Sequence, residues 1–337
     1  MREQASPDRS LGGSNVAALW SGTFWKAFWV TMRPYLIFVS GAAGLVGLAF
    51  IPRPEPWRLL LAFLPLLLSY GLGQALTDCF QIDTDSLSSP YRPLVRGIVS
   101  RRQVMTVSLG GLAVGAVTLG FVNLEILPLG LLAVVGLLSY TFFKRRWWGG
   151  PFWNSWIVAL LPLMGRLAGR DVTLAGLIGP AMPEGKAFLF GLLTVFFAYA
   201  NFVVMGYLKD ISADRATGYR TLPVVFGWKA TAFISDSLAA AAIVSAAGSL
   251  AFTAQPASAG LIALGVAAAL SLSAQVRIHR TTDESRAHGP IADVVRVFLL
   301  ESSAIVLARQ PGWVPLLIVF YLSFEAALRL RPEERQV

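Results

Sequence analysis

The sequence predicts an all-α fold, a polytopic bundle of transmembrane helices that crosses the bilayer nine or ten times. Three observations carry this. Hydrophobic residues make up 55% of the 337-residue chain and charged residues 14%, whereas soluble domains carry about 25% charged residues. Apolar runs of about 20 residues, long enough to cross a hydrocarbon core of ~30 Å, recur along the whole length. In lipid the backbone must satisfy its own hydrogen bonds, so such runs are helices, and the period-two alternation of a membrane barrel is absent.

The elements follow in order. Residues 1–22 are polar, lack the apolar core of a signal peptide and are expected to form a disordered tail. Candidate spans lie at 24–50, 58–80, 102–122, 126–143, 152–169, 187–208, 229–252, 258–276, 291–308 and 312–330. The first carries Arg33-Pro34, the second and sixth run into acidic segments, and the fourth ends at Lys144. Asn154 and Asn201 interrupt the fifth and sixth, where hydrogen bonding between helices is the favoured reading over contact with a ligand. The seventh and eighth are Ala-rich and carry little chemistry. Asp293, Arg296, Glu301 and Arg309 make the ninth amphipathic, and only Gln310, Pro311 and Gly312 part it from the tenth, so nine and ten spans both fit. Glycines at Gly41 to Gly47 and Gly110-Gly111 mark close helix packing. Residues 23–331 are read as one transmembrane domain, with 332–337 as a C-terminal tail.

A net charge of +9 could suit nucleic acid, but no basic stripe with interleaved aromatics is present. The charge is instead distributed by loop. With the N-terminus inside, nineteen of the 28 Lys and Arg residues fall in cytoplasmic segments and six on the opposite side, the asymmetry of the positive-inside rule. Trp25, Trp29, Trp147, Trp148 and Trp153 sit near span ends, as interfacial anchors do. The expected location is a membrane, the bacterial inner membrane, with no nucleic-acid partner. The single cysteine, Cys79, excludes an internal disulfide.

Two acidic clusters stand out at span ends on the cytoplasmic side. One runs Thr77-Asp78-Cys79-Phe80-Gln81-Ile82-Asp83-Thr84-Asp85 and is followed by Pro90-Tyr91-Arg92-Pro93 and Arg96. The other runs Lys209-Asp210-Ile211-Ser212-Ala213-Asp214-Arg215 and is followed by Gly218-Tyr219-Arg220-Thr221-Leu222-Pro223. If the spans continue helically, Asp210 and Asp214 share one face, as do Asp78, Gln81 and Asp85, with Asp83 off that face. Carboxylates so placed repel, and Mg²⁺ would offset them while filling its other positions with water and phosphate oxygens. Arg92, Arg96, Lys209, Arg215 and Arg220 could hold the remaining faces of a diphosphate. Either cluster alone would read as solvated surface charge. Two on the same side, with matching Tyr-Arg sequels, point to ionisation of a prenyl diphosphate, in which metal and cations stabilise a charged leaving group.

At these residues the chain resembles the UbiA superfamily of intramembrane prenyltransferases. The second acidic motif of that family, Asp-x-x-x-Asp, matches as Asp210 and Asp214, and a Tyr-x-x-x-Lys motif appears as Tyr140 to Lys144. The Pro90-Tyr91-Arg92-Pro93 sequel and Arg33-Pro34 are further likenesses. The first motif departs: the family's Asn falls on Thr77 and its middle Asp on Gln81, leaving Asp85, with Asp78 as an added carboxylate. The resemblance implies one Mg²⁺ at Asp210 and Asp214 and a second aided by Asp78 and Asp85, with Gln81 and Asp83 as substitutes. It also implies diphosphate contacts from Lys144, Arg92, Lys209 and Arg220, and Tyr140 facing the reacting carbon. Catalytic roles are thus expected of Tyr140, Asp78 and Asp210. The implied reaction is prenyl transfer to an acceptor that in this family is most often an aromatic ring. A small aromatic acceptor is therefore expected first, with a lipid acceptor second and membrane lipid as a further partner. A terpene cyclase is the second expectation. A transporter would place ionisable groups at mid-membrane, and a non-catalytic membrane protein is the remaining alternative.

Overall fold

Each candidate span coincides with a helix in the computed structural model, which describes residues 16–52, 54–170, 172–177, 183–254 and 256–331. The first span is broken in two. Helix α1 (Gly22–Thr31) starts at Ser21, whose Oγ accepts from the Phe24 amide at 3.1 Å. A residue before proline is pushed sterically out of the helical region, and Arg33, preceding Pro34, takes a left-handed φ of 52°. The chain then resumes as α2 (Ile37–Ala49), bent 51° from α1. Ahead of α1, Ala17 is tied by its amide to the Ile98 carbonyl at 2.9 Å and by its carbonyl to Gln103 Nε2 at 2.8 Å. Residues 1–15 and 332–337 of the expected tails lie outside the described residues.

The remaining helices are α3 (Pro56–Asp78), α4 (Ile82–Ser88), α5 (Arg101–Val122), α6 (Ile126–Lys144), α7 (Gly150–Leu167), α8 (Leu174–Leu177), α9 (Pro183–Tyr207), α10 (Ile211–Ala216), α11 (Leu222–Ala251), α12 (Ser258–His279), α13 (His288–Arg309) and α14 (Val314–Arg329). Among the described residues, seven are long and apolar enough to cross a membrane, and the bent α1–α2 pair makes eight. By length and composition the expected nine or ten is not confirmed, because α7 and α13 fall short of that measure. Helix α7 carries Pro151, Asn154, Pro162 and Arg166, and α13 carries four charged residues. Position explains the difference. In α13, 15 of 22 residues are buried among other helices, while only 17% of the apolar window of α5 is buried. A helix facing lipid must be apolar all along its outside, but an inner helix can hold charges if its neighbours pair them. Arg296 does so, donating to Glu325 of α14 at 2.6 and 3.0 Å and to Asp293 at 2.8 Å.

The bundle is closed at its centre by backbone contact between α2 and α7. A Cβ at Gly47 would lie 2.0 Å from the Pro162 carbonyl oxygen, and one at Gly165 would lie 2.5 Å from that of Gly44. Small residues let helices approach this closely in membranes. Gly41 and Gly111 likewise face leucines, but Gly110 has open space beside it. Gly47→Ala is expected to destabilise the protein by about 3 kcal/mol or more, since backbone cannot move aside as side chains do. Gly265→Ala, with nothing within 4 Å of the new methyl, should gain up to ~1 kcal/mol of helix propensity. Thermal unfolding of both variants in detergent checks the pair; equal midpoints would contradict the contact.

The acidic clusters sit where long helices stop. Helix α3 ends at Asp78 and Gln81 (φ −126°) caps the short α4. Helix α9 ends at Tyr207 and Asp210 (φ −117°) caps the short α10. The helical continuation assumed from the sequence is therefore broken at both motifs. The two helix-turn-helix units meet at one end of the bundle, where Thr84 and Thr217 share a hydroxyl hydrogen bond of 3.1 Å.

Candidate active site

Asp78 is 2% exposed and is the hub of the first motif. Arg33 Nη2 donates to its Oδ1 at 2.9 Å and its Oδ2 at 3.1 Å. Gln74, one helical turn earlier, adds a 2.6 Å bond to Oδ1. The left-handed backbone at Arg33 is what turns this guanidinium toward Asp78; a straight helix would have carried the chain past it. Arg92 lies 3.7 Å from Asp78 Oδ2 and pairs closely with Asp85. Burial pushes the Asp85 carboxyl up, with Arg92 opposing. Burial also works against the Arg92 charge, but Asp85 and Asp78 outweigh it and raise its pKa. Gln81 accepts from Lys144 Nζ at 2.7 Å and donates to Thr141 Oγ1 at 3.4 Å. Asp83 faces outward, toward Arg145 at 3.1 Å and the Tyr219 hydroxyl at 3.3 Å.

The second motif is differently satisfied. Asp214 is fully buried, and its Oδ2 accepts from Thr221 Oγ1 at 2.9 Å, while its Oδ1 has no hydrogen-bond partner. Burial, reinforced by Asp210 and opposed by Lys144, lifts its pKa to about 6. Asp210 lies 3.4 Å from Lys209 Nζ. Burial works against its charge, yet Lys209, Lys144 and Arg92 together hold its pKa below the usual value. Burial lowers the pKa of Lys209. Lys144, at the end of α6, acts electrostatically on Asp214, Asp210 and Asp85 and sits 5.4 Å from the Tyr219 ring centroid, so it joins the two motifs.

Four carboxylates (Asp78, Asp85, Asp210, Asp214) thus meet four cations (Arg33, Arg92, Lys144, Lys209). The charges cancel. Beside this cluster lies an apolar chamber of about 710 Å³ between α3, α5, α6 and α7, walled by residues such as Leu64, Leu72, Val114, Leu137 and Leu161. Gln74 and Thr77 line its polar end, and the Gln74–Asp78 hydrogen bond joins chamber to charges. A volume of this size suits a molecule with many carbons.

The structure brings together most of the residues named from the sequence. Asp78, Gln81, Asp85, Arg92, Lys144, Lys209, Asp210 and Asp214 are in the cluster, and Tyr140 sits beside it with its hydroxyl 3.3 Å from that of Tyr207. Arg96, Arg215 and Arg220 are exposed and stand outside it. Asn201 bonds Ser235 and, more weakly, Gln275 across α9, α11 and α12, as the helix-packing reading expected. Asn154 donates to the Tyr199 hydroxyl at 3.2 Å, a bond between helices, and also lines the chamber. Sequence reasoning placed Arg33 inside a helix and so missed its role. It also missed Gln74, although a residue four before Asp78 must share its helix face.

A buried cluster of balanced charges thus lies at the polar end of an apolar chamber, inside a bundle of membrane-spanning helices. The chain belongs to the UbiA prenyltransferase family, whose profile matches residues 35–291. It is 29% identical over 225 residues to the digeranylgeranylglyceryl phosphate synthase of Thermococcus kodakarensis, covering 65% of this chain and 76% of that protein. The synthase of the same name from Natronomonas pharaonis is 28% identical, with 64% and 74% covered. Among solved structures, an apo UbiA homologue from Aeropyrum pernix K1 superposes with a TM-score of 0.68 at 20% identity, covering 80% of this chain and 96% of that one. A UbiA homologue from Archaeoglobus fulgidus bound to DMAPP and Mg²⁺ gives 0.59 at 17% identity, with 83% and 98% covered. These relatives are archaeal, so they do not bear on the bacterial location expected from the sequence.

Proposed function

We propose that the protein ionises a prenyl diphosphate with the help of Mg²⁺ and transfers the prenyl group to a lipid acceptor. The observation that carries this is the join at Gln74 and Asp78, where an apolar chamber of about 710 Å³ meets a charged cluster. A greasy chain with an anionic head fits that join. The second motif suits a metal ion: Asp214 Oδ1 is buried with no partner and Asp210 is close by in the chain. Among the described residues no three acidic, His or Cys side chains form a complete metal cage, so the diphosphate itself would supply further ligands. The site's own charges already balance, so an incoming diphosphate needs added positive charge, which a divalent cation brings with it. When bound, Mg²⁺ stabilises charge on the departing diphosphate.

The chain's own residues divide the remaining work. Asp210 and Asp214 hold the metal, and Lys144, Arg92 and Lys209 hold the diphosphate oxygens. Arg96, Arg215 and Arg220 stand on the exposed rim, where they draw an anion toward the site by long-range attraction. Tyr140, buried beside Lys144, presents an aromatic ring to the carbocation as it forms. The chamber's lining is apolar, and on its open side, where Leu64, Val114 and Leu131 are exposed, lipid rather than water would lie beside the cation. The charge asymmetry of the loops supports a cytoplasmic position for this mouth and for the N-terminus.

The relatives' names favour a glycerophosphate-type lipid over a small aromatic ring as acceptor, and a lipid acceptor is already dissolved in the membrane that holds the enzyme. The test is Mg²⁺-dependent diphosphate release in membranes from C10, C15 and C20 prenyl diphosphates, with a geranylgeranylglyceryl phosphate acceptor, an aromatic acceptor mixture, or neither. Release that needs the lipid acceptor and yields its prenylated product is the expected result. Release with neither acceptor, giving a cyclic hydrocarbon or alcohol, would establish a cyclase instead.

A further inference from the structure

We infer that the first acidic motif of this protein holds arginines in place of a metal ion, so that one divalent cation binds, at Asp210 and Asp214, and Arg33 and Arg92 bind the diphosphate on the opposite side. The inference rests on the function proposed above and specifies how its site is charged. Two independent observations support it. In the sequence, the positions where a second ion would find an amide and a carboxylate are Thr77 and Gln81. In the structure, the polar groups that remain are taken by other partners. Asp78 is bonded by Arg33 and Gln74, Asp85 is paired with Arg92, and the Gln81 carbonyl oxygen accepts from Lys144. Thr77 turns its hydroxyl back to the Gln74 carbonyl at 3.0 Å.

A divalent ion entering here would have to displace two guanidinium groups, each a full charge, for two carboxylates and a neutral amide. The exchange is unfavourable, because Mg²⁺ selects sites that offer it several hard oxygens and room for water. The arginines have capacity left for an anion. Arg33 Nε and Arg92 Nε are buried with no acceptor, and a guanidinium carries five N–H donors, of which carboxylate pairing uses some. A diphosphate oxygen is the acceptor they lack. The contrast with the second motif is direct: there the orphan is a carboxylate oxygen, which calls for a cation, and here the orphans are donors, which call for an anion.

The experiment counts metal ions rather than turnover. The full chain in lipid nanodiscs is saturated with geranyl S-thiolodiphosphate, an analogue that resists ionisation, and bound Mn²⁺ is measured by electron paramagnetic resonance. One Mn²⁺ per chain is expected, with no spin coupling to a second ion. It should be lost in Asp214→Ala and kept in Asp78→Asn. The double substitution Thr77→Asn with Gln81→Asp should raise the count to two. Arg33→Gln should weaken analogue binding about tenfold or more and leave the count at one. Two coupled ions in the native chain would overturn the inference while leaving the metal-dependent function intact. A single ion that survives Asp214→Ala and disappears in Asp78→Asn would overturn it as well. No bound Mn²⁺ at all would instead remove the metal-dependent reading on which it rests. The native count decides even if a variant fails to fold.

Discussion

Asp214→Ala is expected to reduce diphosphate release by about 10³-fold or more, roughly 4 kcal/mol of transition-state stabilisation. Removing this carboxylate takes away the oxygen whose partner the site lacks, and with it the metal's anchor. The loss should not come from unfolding. Burial holds the Asp214 pKa at about 6, above the ordinary carboxylate value, so at pH 7.5 its charged form opposes folding rather than aiding it. The alanine variant gains by losing this charge and loses the bond from Thr221 and a counter-charge of Lys144, so its midpoint should stay near that of the native chain. Assays in purified membranes, with thermal unfolding alongside, check both halves. Full activity in that variant would sink the metal assignment.

Arg92→Ala is expected to act first on stability. Taking one partner from a buried ion pair leaves the other uncompensated and costs about 3–5 kcal/mol. Asp85, 6% exposed, would be that stranded charge. The double variant Arg92→Ala with Asp85→Ala removes both and should recover most of the lost stability. Activity should stay low in the double variant, because Arg92 is also assigned to the diphosphate. Thermal midpoints of the two single variants and the double give the coupling directly. Additive midpoints would mean that the two groups do not depend on each other.

Much of the fold was legible in the sequence because lipid imposes one rule on every residue it touches. Helices α3, α5, α6, α9 and α12 obey it and lie within four residues of the expected ends, whereas α11 starts at Leu222, before a kink at Gly227, seven residues ahead of the expected 229. The rule says little about helices packed mostly against other helices, so α7 and α13, with 11 of 18 and 15 of 22 residues buried, read as spans of the same kind although they carry charges and prolines. The site was legible for a different reason. Carboxylates and lysines at span ends are few enough in a 14% charged chain that those grouped together stand out. What the sequence did not show was the break before Pro34. The steric rule for residues preceding proline was available, but no rule says which way a chain will turn once it leaves the helix, and Arg33 reaches Asp78 only through that turn. The exposure of Arg96, Arg215 and Arg220 was hidden for a similar reason, since α4 and α10 restart the helix phase after each motif.

The glycine contact between α2 and α7 also bears on how the chain is made. Helix α2 has 13 residues, of which 12 are buried, and at 1.5 Å per residue it is only about 20 Å long, too short to cross a bilayer alone. Its partner at Pro162 and Gly165 is encoded more than a hundred residues downstream. At synthesis rates of about 5–20 residues per second, α2 waits roughly 5 to 25 s for the surface that will cover it. During that interval α1 and α3 must keep it in place at the exit of the insertion machinery, and the nascent chain carries an unfinished seam that closes only when α7 is released from the ribosome.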